Sequence, residues 1–292
     1  LLLFILCIQS RASSFMPAVT NYLAKDYEAG YQNWACAQGS NGEMYFGNSQ
    51  GLLVYDGYRW TLHKVPGNHI VRSVYVKEDR IYVGAFEEFG YFKYSEAGTL
   101  RYHSLSKFLK NFPMENNEIW NIVELDGRIY FQSFSAWFSY DGKMVRAFRN
   151  RQQQPLYFYT QNGHIYTQMI DEDFYEFDGK DFHHLFPRSQ VNDDNVVSLL
   201  PDGDDSFLMV TENNGLFRYN GDITPWKTDI DTELKKQRVN RAVMTNDSIF
   251  MIGTVLNGIY AIDRKGHCLW HFNLDNRLDN NTVLGLVCDK DN

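Results

Sequence analysis

The sequence predicts an all-β fold, and three observations carry that expectation. Aromatic residues make up 16% of the 292 residues, with 21 Phe, 19 Tyr and 6 Trp; such side chains suit a pleated, half-buried sheet surface. The apolar segments are four to seven residues long, alternate with polar positions, and are bounded by Gly, Asn and Asp, as strands and turns are. The same arrangement then recurs about every forty residues. Four short strands per unit at that period is the pattern of a propeller blade. The expectation is a β-propeller of four-stranded blades, seven-bladed, with the last blade truncated in a fragment of a longer polypeptide.

The period is measured at the residue before each third strand, positions 51, 90, 136, 173, 215 and 258, in steps of 39, 46, 37, 42 and 43. The first copy reads Asn33-Trp34-Ala35-Cys36-Ala37, Met44-Tyr45-Phe46-Gly47, Gly51-Leu52-Leu53-Val54-Tyr55-Asp56-Gly57 and Trp60-Thr61-Leu62. The second holds Val71–Val76, Ile81–Gly84 and Gly90–Tyr94; the third Ile119–Val123, Ile129–Phe131 and Ala136–Gly142. The fourth is read from Ile165–Thr167 and Phe174–Gly179, the fifth from Val196–Leu200, Phe207–Val210 and Gly215–Gly221. The sixth comprises Val239–Val243, Ile249–Gly253 and Gly258–Asp263, and a seventh starts at Thr282–Val287.

Each part has a physical role. The first strand is expected nearest the axis, buried on both faces. Asp56-Gly57, Asp141-Gly142 and Asp178-Gly179 suit two-residue hairpins that need positive φ. Aromatic third strands pack blade on blade. Gly47, Gly84 and Gly253 permit close approach at a strand end. Ser106–Phe112 and Thr232–Arg238 read as short helical linkers.

Residues 1–12 read as the apolar stretch and cleavage site of a secretory signal, an anchoring segment being the other reading. Residues 13–30 form an N-terminal segment in which Pro17–Tyr22 reads as an outer strand that closes the last blade. Residues 31–292 are the propeller. Outside Cys7, the three cysteines Cys36, Cys268 and Cys288 are far apart. Free thiols in strands and a single bridge with one spare thiol are both open. Net charge is −8, from 28 Lys+Arg against 36 Asp+Glu, which gives no electrostatic footprint for nucleic acid.

The repeat, with Tyr-Phe-Gly, Gly-Leu-Leu and Tyr-Asp-Gly in order, resembles the propeller repeat of periplasmic two-component regulators. Its most specific stretch is Asn21-Tyr22, Asp26-Tyr27, Gln32-Asn33-Trp34-Ala35, Met44 to Asn48 and Gly51 to Gly57, similar to the start of large sensor-regulators of Bacteroides-type bacteria. Repeats four and five depart from it, with Thr167-Gln168 and Val210-Thr211 where the clear copies have Gly. The resemblance implies an extracytoplasmic module that senses a signal, often glycan fragments, ahead of an immunoglobulin-like domain, a membrane helix and a kinase or helix-turn-helix output. It implies a periplasmic location, membrane anchoring through segments outside this chain, and homodimerisation of the full-length protein.

Chemistry-bearing motifs are sparse. Asp202-Gly203-Asp204-Asp205 lacks the terminal Glu of a calcium loop. His183-His184 lacks a third ligand, and there is no nucleophile elbow, phosphate loop or dinucleotide fingerprint. No catalytic residue, metal site or cofactor is expected. A ligand site, possible partner an oligosaccharide, is expected where the inner strands begin, at one mouth of the central channel. The candidates are Asn33, Trp34, Arg72, Trp120, Asn121, Tyr159, Asn195, Asn240, Arg241 and Asn281. Aromatic faces and fixed amide or guanidinium groups are what a sugar uses. Two blander roles stay open: Asn suits strand-starting turns, and Trp34 and Trp120 can be blade-packing core. Three functions are weighed: a non-catalytic sensor, an exported propeller glycosidase or lyase, and a dimerisation scaffold.

Overall fold

The computed structural model describes residues 17–110, 112–203, 206–246 and 248–290. The signal-peptide reading of 1–12 and the pair Asp204-Asp205 lie outside them. The described residues form six four-stranded antiparallel sheets, each a simple meander in chain order. Blade 1 holds β1 (Asn33–Gln38), β2 (Met44–Asn48), β3 (Gly51–Tyr55) and β4 (Trp60–His63); blade 2 holds β5 (Val71–Lys77), β6 (Arg80–Ala85), β7 (Phe89–Tyr94) and β8 (Leu100–Ser104). Blade 3 holds β9 (Asn121–Leu125), β10 (Arg128–Gln132), β11 (Trp137–Tyr140) and β12 (Val145–Phe148). Blade 4 holds β13 (Pro155–Gln161), β14 (His164–Met169), β15 (Phe174–Phe177) and β16 (Phe182–Phe186). Blade 5 holds β17 (Val196–Pro201), β18 (Phe207–Thr211), β19 (Leu216–Tyr219) and β20 (Ile223–Trp226); blade 6 holds β21 (Val239–Met244), β22 (Phe250–Thr254), β23 (Ile259–Ile262) and β24 (Cys268–Phe272). A short α1 (Ala24–Tyr27) precedes blade 1, and α2 (Asp231–Gln237) joins blades 5 and 6. The other linker forms one 3-10 turn, Ser106–Phe108.

The structure has six blades, not seven. Thr282–Val287 nevertheless takes the place an inner strand would take. A Cβ at Gly47 would meet the Val71 carbonyl, one at Gly84 would meet Ile119, and one at Gly253 would meet Val283. The Ile119 N–H bonds the Ala85 carbonyl at 3.1 Å, and the Val283 N–H bonds the Thr254 carbonyl at 2.9 Å. Val283 therefore stands to blade 6 as Ile119 stands to blade 2. On its far side Gly285 lies against Ala35 of β1, but no ladder forms. Pro17–Tyr22 is not a strand either; its Asn21 Nδ2 donates to the Arg277 carbonyl at 2.8 Å, and its Tyr22 ring packs on Trp60 at 5.3 Å.

Burial follows the blade joints. Five apolar clusters among the described residues bridge blades 1 and 2, 2 and 3, 3 and 4, 4 and 5, and 5 and 6. None bridges blades 6 and 1. Phe89, Phe131 and Phe138 show the usual content of a joint, with centroids 4.5 and 4.9 Å from Phe89. Such offset pairs add about 0.5–1.5 kcal/mol beyond their area.

Three local expectations are corrected. The inner strands are not buried on both faces: β1 is half-exposed throughout, whereas β6 and β18 are almost wholly buried. The channel leaves part of the inner strands open, so burial is deepest in the second and third strands, as in β6, β11 and β18. The acidic-Gly turns span four residues, since Tyr55 pairs Trp60 and Tyr140 pairs Val145. Gly57 does adopt φ +92°, and the Asp56 carboxylate accepts the Tyr58 and Arg59 N–H groups at 2.8 and 2.6 Å, which holds its pKa below the usual carboxylate range. Blades 4 and 5, which lack the glycine step, still form complete four-stranded sheets. Gln168 spans the step in blade 4, donating to the Asp194 carbonyl at 3.0 Å and accepting from Val196 N–H at 2.9 Å.

Candidate functional site

The seven inner segments, Thr282–Val287 included, surround a channel cavity of about 600 Å³. One device recurs at its mouth. Ladder register shifts between Asn33 and Ala35, Val71 and Ser73, Pro155 and Phe158, and Val196 and Ser198. Such a bulge inserts a residue outside the pairing and re-aims its side chain. Trp34, Arg72, Tyr157 and Val197 sit at these shifts and line the cavity.

The resulting cluster is aromatic and cationic. The Arg72 guanidinium lies 3.7 Å from the Trp34 ring centroid and 4.8 Å from that of Trp120. Each cation–π contact is worth about 0.5–2 kcal/mol according to its desolvation. Arg72 Nε also donates to Glu118 Oε1 at 2.5 Å, with the two side chains only 13% and 20% exposed. Its Nη1 is buried and has no hydrogen-bond partner among the described residues. Trp120 stacks on Phe134 at 5.6 Å, Phe134 meets Tyr157 edge-on, and Arg241 lies 5.1 Å over the Tyr157 ring. Deeper in the channel, burial pushes the Cys36 thiol up to about 12. Burial, assisted by Tyr157, raises Tyr159 strongly, against the opposing Arg241 charge.

The ten candidates divide. Trp34, Arg72, Trp120, Asn121, Tyr159 and Arg241 line the channel. Asn33, Asn195, Asn240 and Asn281 do not, and each has a partner elsewhere. Asn33 accepts from Asn48 at 2.8 Å, Asn195 donates to Glu212 at 3.0 Å, and Asn281 accepts from the Leu274 N–H at 2.7 Å. Asn121, Tyr159 and Asn240 share one job: each donates to a backbone carbonyl of the next inner segment, Phe158 at 2.5 Å, Val196 at 2.6 Å and Val283 at 2.6 Å. They tie blade to blade, as Ser73 does to the Ile119 carbonyl at 2.9 Å. Tyr157, Phe134 and Glu118 are cluster members absent from the candidates. For Tyr157 the signal was present in the run Tyr157-Phe158-Tyr159, three aromatics where strict alternation allows two to face one way.

Other sequence features resolve simply. His183 and His184 pair with Asp178 and Asp173 at 2.8 and 3.0 Å. Among the described residues no group of His, Cys, Asp and Glu could hold a metal, and no helix is long and apolar enough to cross a membrane. Cys36 and Cys268 are free thiols, Cys36 in β1 and Cys268 exposed in β24; Cys288 is half-buried outside any strand.

No family model and no curated protein matches this sequence. The fold, however, is similar to solved structures. One is a chain described as the extracellular domain of the hybrid two component system BT4673 from B. thetaiotaomicron, with TM-score 0.70 and 18% identity over 90% of this chain and 36% of that one. This chain thus spans about a third of that structure. Virginiamycin B lyase from Staphylococcus aureus matches with TM-score 0.68 and 13% identity, over 91% of both chains. PorZ, a surface component of the type-IX secretion system of Porphyromonas gingivalis, matches with TM-score 0.59 and 15% identity, over 93% of this chain and 45% of that one. The resemblance read from the repeat thus meets a propeller in the extracellular domain of a two-component system. At these identities the likeness is one of fold.

Proposed function

We propose that this chain is an extracytoplasmic, ligand-sensing propeller module of a membrane-spanning signalling regulator, and that it holds a glycan fragment at the channel mouth. The observation that carries this reading is the cluster of Trp34, Arg72, Trp120, Phe134, Tyr157 and Arg241 around one concave opening. Flat rings cover the apolar faces of sugars while fixed donors take their hydroxyls. The likeness to an extracellular two-component domain supports the sensor role, in which the full-length protein dimerises and its output lies beyond this propeller.

A second reading is a polysaccharide-degrading propeller enzyme; the likeness to virginiamycin B lyase shows only that an enzyme can share this fold. General acid–base catalysis needs groups that exchange protons near the working pH. Of the titratable groups named above, Cys36 and Tyr159 are pushed away from that range and Glu118 is tied to Arg72, which favours binding over turnover.

The test is a panel of neutral and acidic oligosaccharides against the protein and its Trp34→Ala and Trp120→Ala variants, read by thermal shift and calorimetry. A ligand specific for the folded state raises the melting temperature, by about 2.7 kcal/mol of added stability at 100 times Kd. The reading predicts such a shift for at least one glycan, and its loss in both variants. Shifts that survive both substitutions would move the site elsewhere.

A further inference from the structure

The mouth cluster has a sign. We propose that it selects acidic saccharides, of the uronate class, and that Arg241 is the residue that reads the carboxylate. This rests on the reading of the mouth as a glycan site.

The cavity wall carries two guanidiniums, Arg72 and Arg241, and no Asp, Glu or His among its described lining residues. Their situations differ. Arg72 is neutralised by Glu118 at 2.5 Å and lies against two indole rings that meet at 80°, so it serves as part of the platform. Arg241 has no carboxylate within ion-pair distance among the described residues, whereas Arg218, Arg238 and Arg264 each have one. Its Nη1 donates to the Asn240 carbonyl at 3.0 Å, and its Nε and Nη2 have no partner among the described residues. Half-buried on a concave wall, it is a cation without a counter-ion.

No acidic side chain among the described lining residues offsets that charge. Cys36 and Tyr159 are held protonated by burial and add no negative charge. The whole chain carries −8, so the wall is a local positive exception. A concave surface with low-dielectric walls focuses such a field on whatever enters. A planar guanidinium fork matches a carboxylate in bidentate geometry. The Trp34, Trp120 and Tyr157 rings supply faces for the sugar ring that carries it.

The experiment is calorimetry of the full chain with trisaccharides of galacturonate, glucuronate and mannuronate, each beside its methyl ester, and with the neutral galactose, glucose and mannose trisaccharides. The ester keeps shape and removes charge. At least one acid is expected to bind at least about 10-fold tighter than its ester, as a charge-assisted hydrogen bond permits, and more weakly at high salt. Arg241→Gln should erase the difference between acid and ester while the protein still unfolds in one cooperative melting transition. Arg241→Lys, which keeps charge but loses the fork, should retain part of it. Equal affinity for acid and ester, or an acid preference intact in Arg241→Gln, overturns the proposal. Binding of neutral trisaccharides alone also overturns it while leaving the glycan-sensing reading in place. If no trisaccharide binds, both fall.

Discussion

Glu118→Gln tests whether the ion pair under the channel mouth holds the cluster. The Arg72 and Glu118 side chains are 13% and 20% exposed and meet at 2.5 Å. At an effective dielectric of about 20, unit charges about 4 Å apart attract by ~4 kcal/mol. Desolvation takes back much of this, and a hydrogen bond between charged groups nets about 1.5–3 kcal/mol. The amide keeps the shape and can still accept from Arg72 Nε. The guanidinium also keeps its contacts with Trp34 and Trp120, so the expected loss is about 1–3 kcal/mol. Urea unfolding reads it: with a slope of roughly 3 kcal/mol/M for a chain of this size, a 2 kcal/mol loss moves the midpoint by ~0.7 M. A cycle with Arg72→Met and the double variant isolates the pair, and the coupling should exceed about 1 kcal/mol. Because the pair is largely buried, the loss should persist in 1 M salt, where exposed pairs are screened within ~3 Å. A coupling below about 0.5 kcal/mol, or one abolished by salt, refutes the reasoning.

Further expectations follow from other parts of the fold. Gly84→Ala places a Cβ against Ile119 and Ser73, an overpacking worth about 1–3 kcal/mol in urea unfolding. Gly142→Ala meets open space but must hold φ +89°, so it costs about 1–2 kcal/mol through backbone strain alone; a loss below about 0.5 kcal/mol in Gly84→Ala would refute the close-packed joint. Thiol labelling at pH 8 should modify exposed Cys268 faster than Cys36, whose thiol burial pushes up to about 12; equal rates would contradict this. The hydrogen bond between His183 and Asp178 raises the histidine pKa above 6.5 and lowers the aspartate pKa below 3.8. The histidine part of this stability is full below 6.5 and is lost as pH rises through its raised pKa. The aspartate part is present above 3.8 and is lost as pH falls through its lowered one, so the hairpin is firmest between about 4 and 6.5. In an NMR titration Asp178→Asn should bring the His183 pKa down; an unchanged value would contradict the pairing.

The repeat was legible because strand alternation and turn residues are local properties. Tyr45, Leu52, Phe131 and Phe138, all now buried, stand where that pattern placed strands. Blade number was less legible. Thr282–Val287 has the composition of an inner strand and occupies the position of one, yet pairing depends on a partner strand that its own residues do not specify. Side-chain direction at the mouth was legible only in part, because the bulges at Trp34, Arg72 and Tyr157 break the alternation from which direction is read. The asparagines show a related limit. Asn121 and Asn240 have the polarity a sugar would use, but a neighbouring backbone carbonyl takes it first.

The inner segments are linked around the axis like staves in a hoop: Asn121, Tyr159 and Asn240 each pass a hydrogen bond to the backbone carbonyl of the next segment, at 2.5, 2.6 and 2.6 Å. A ligand held at the mouth would touch segments already tied to their neighbours, so occupancy at the axis would be felt as stiffness around the ring, and amide exchange in the inner strands should slow when it binds.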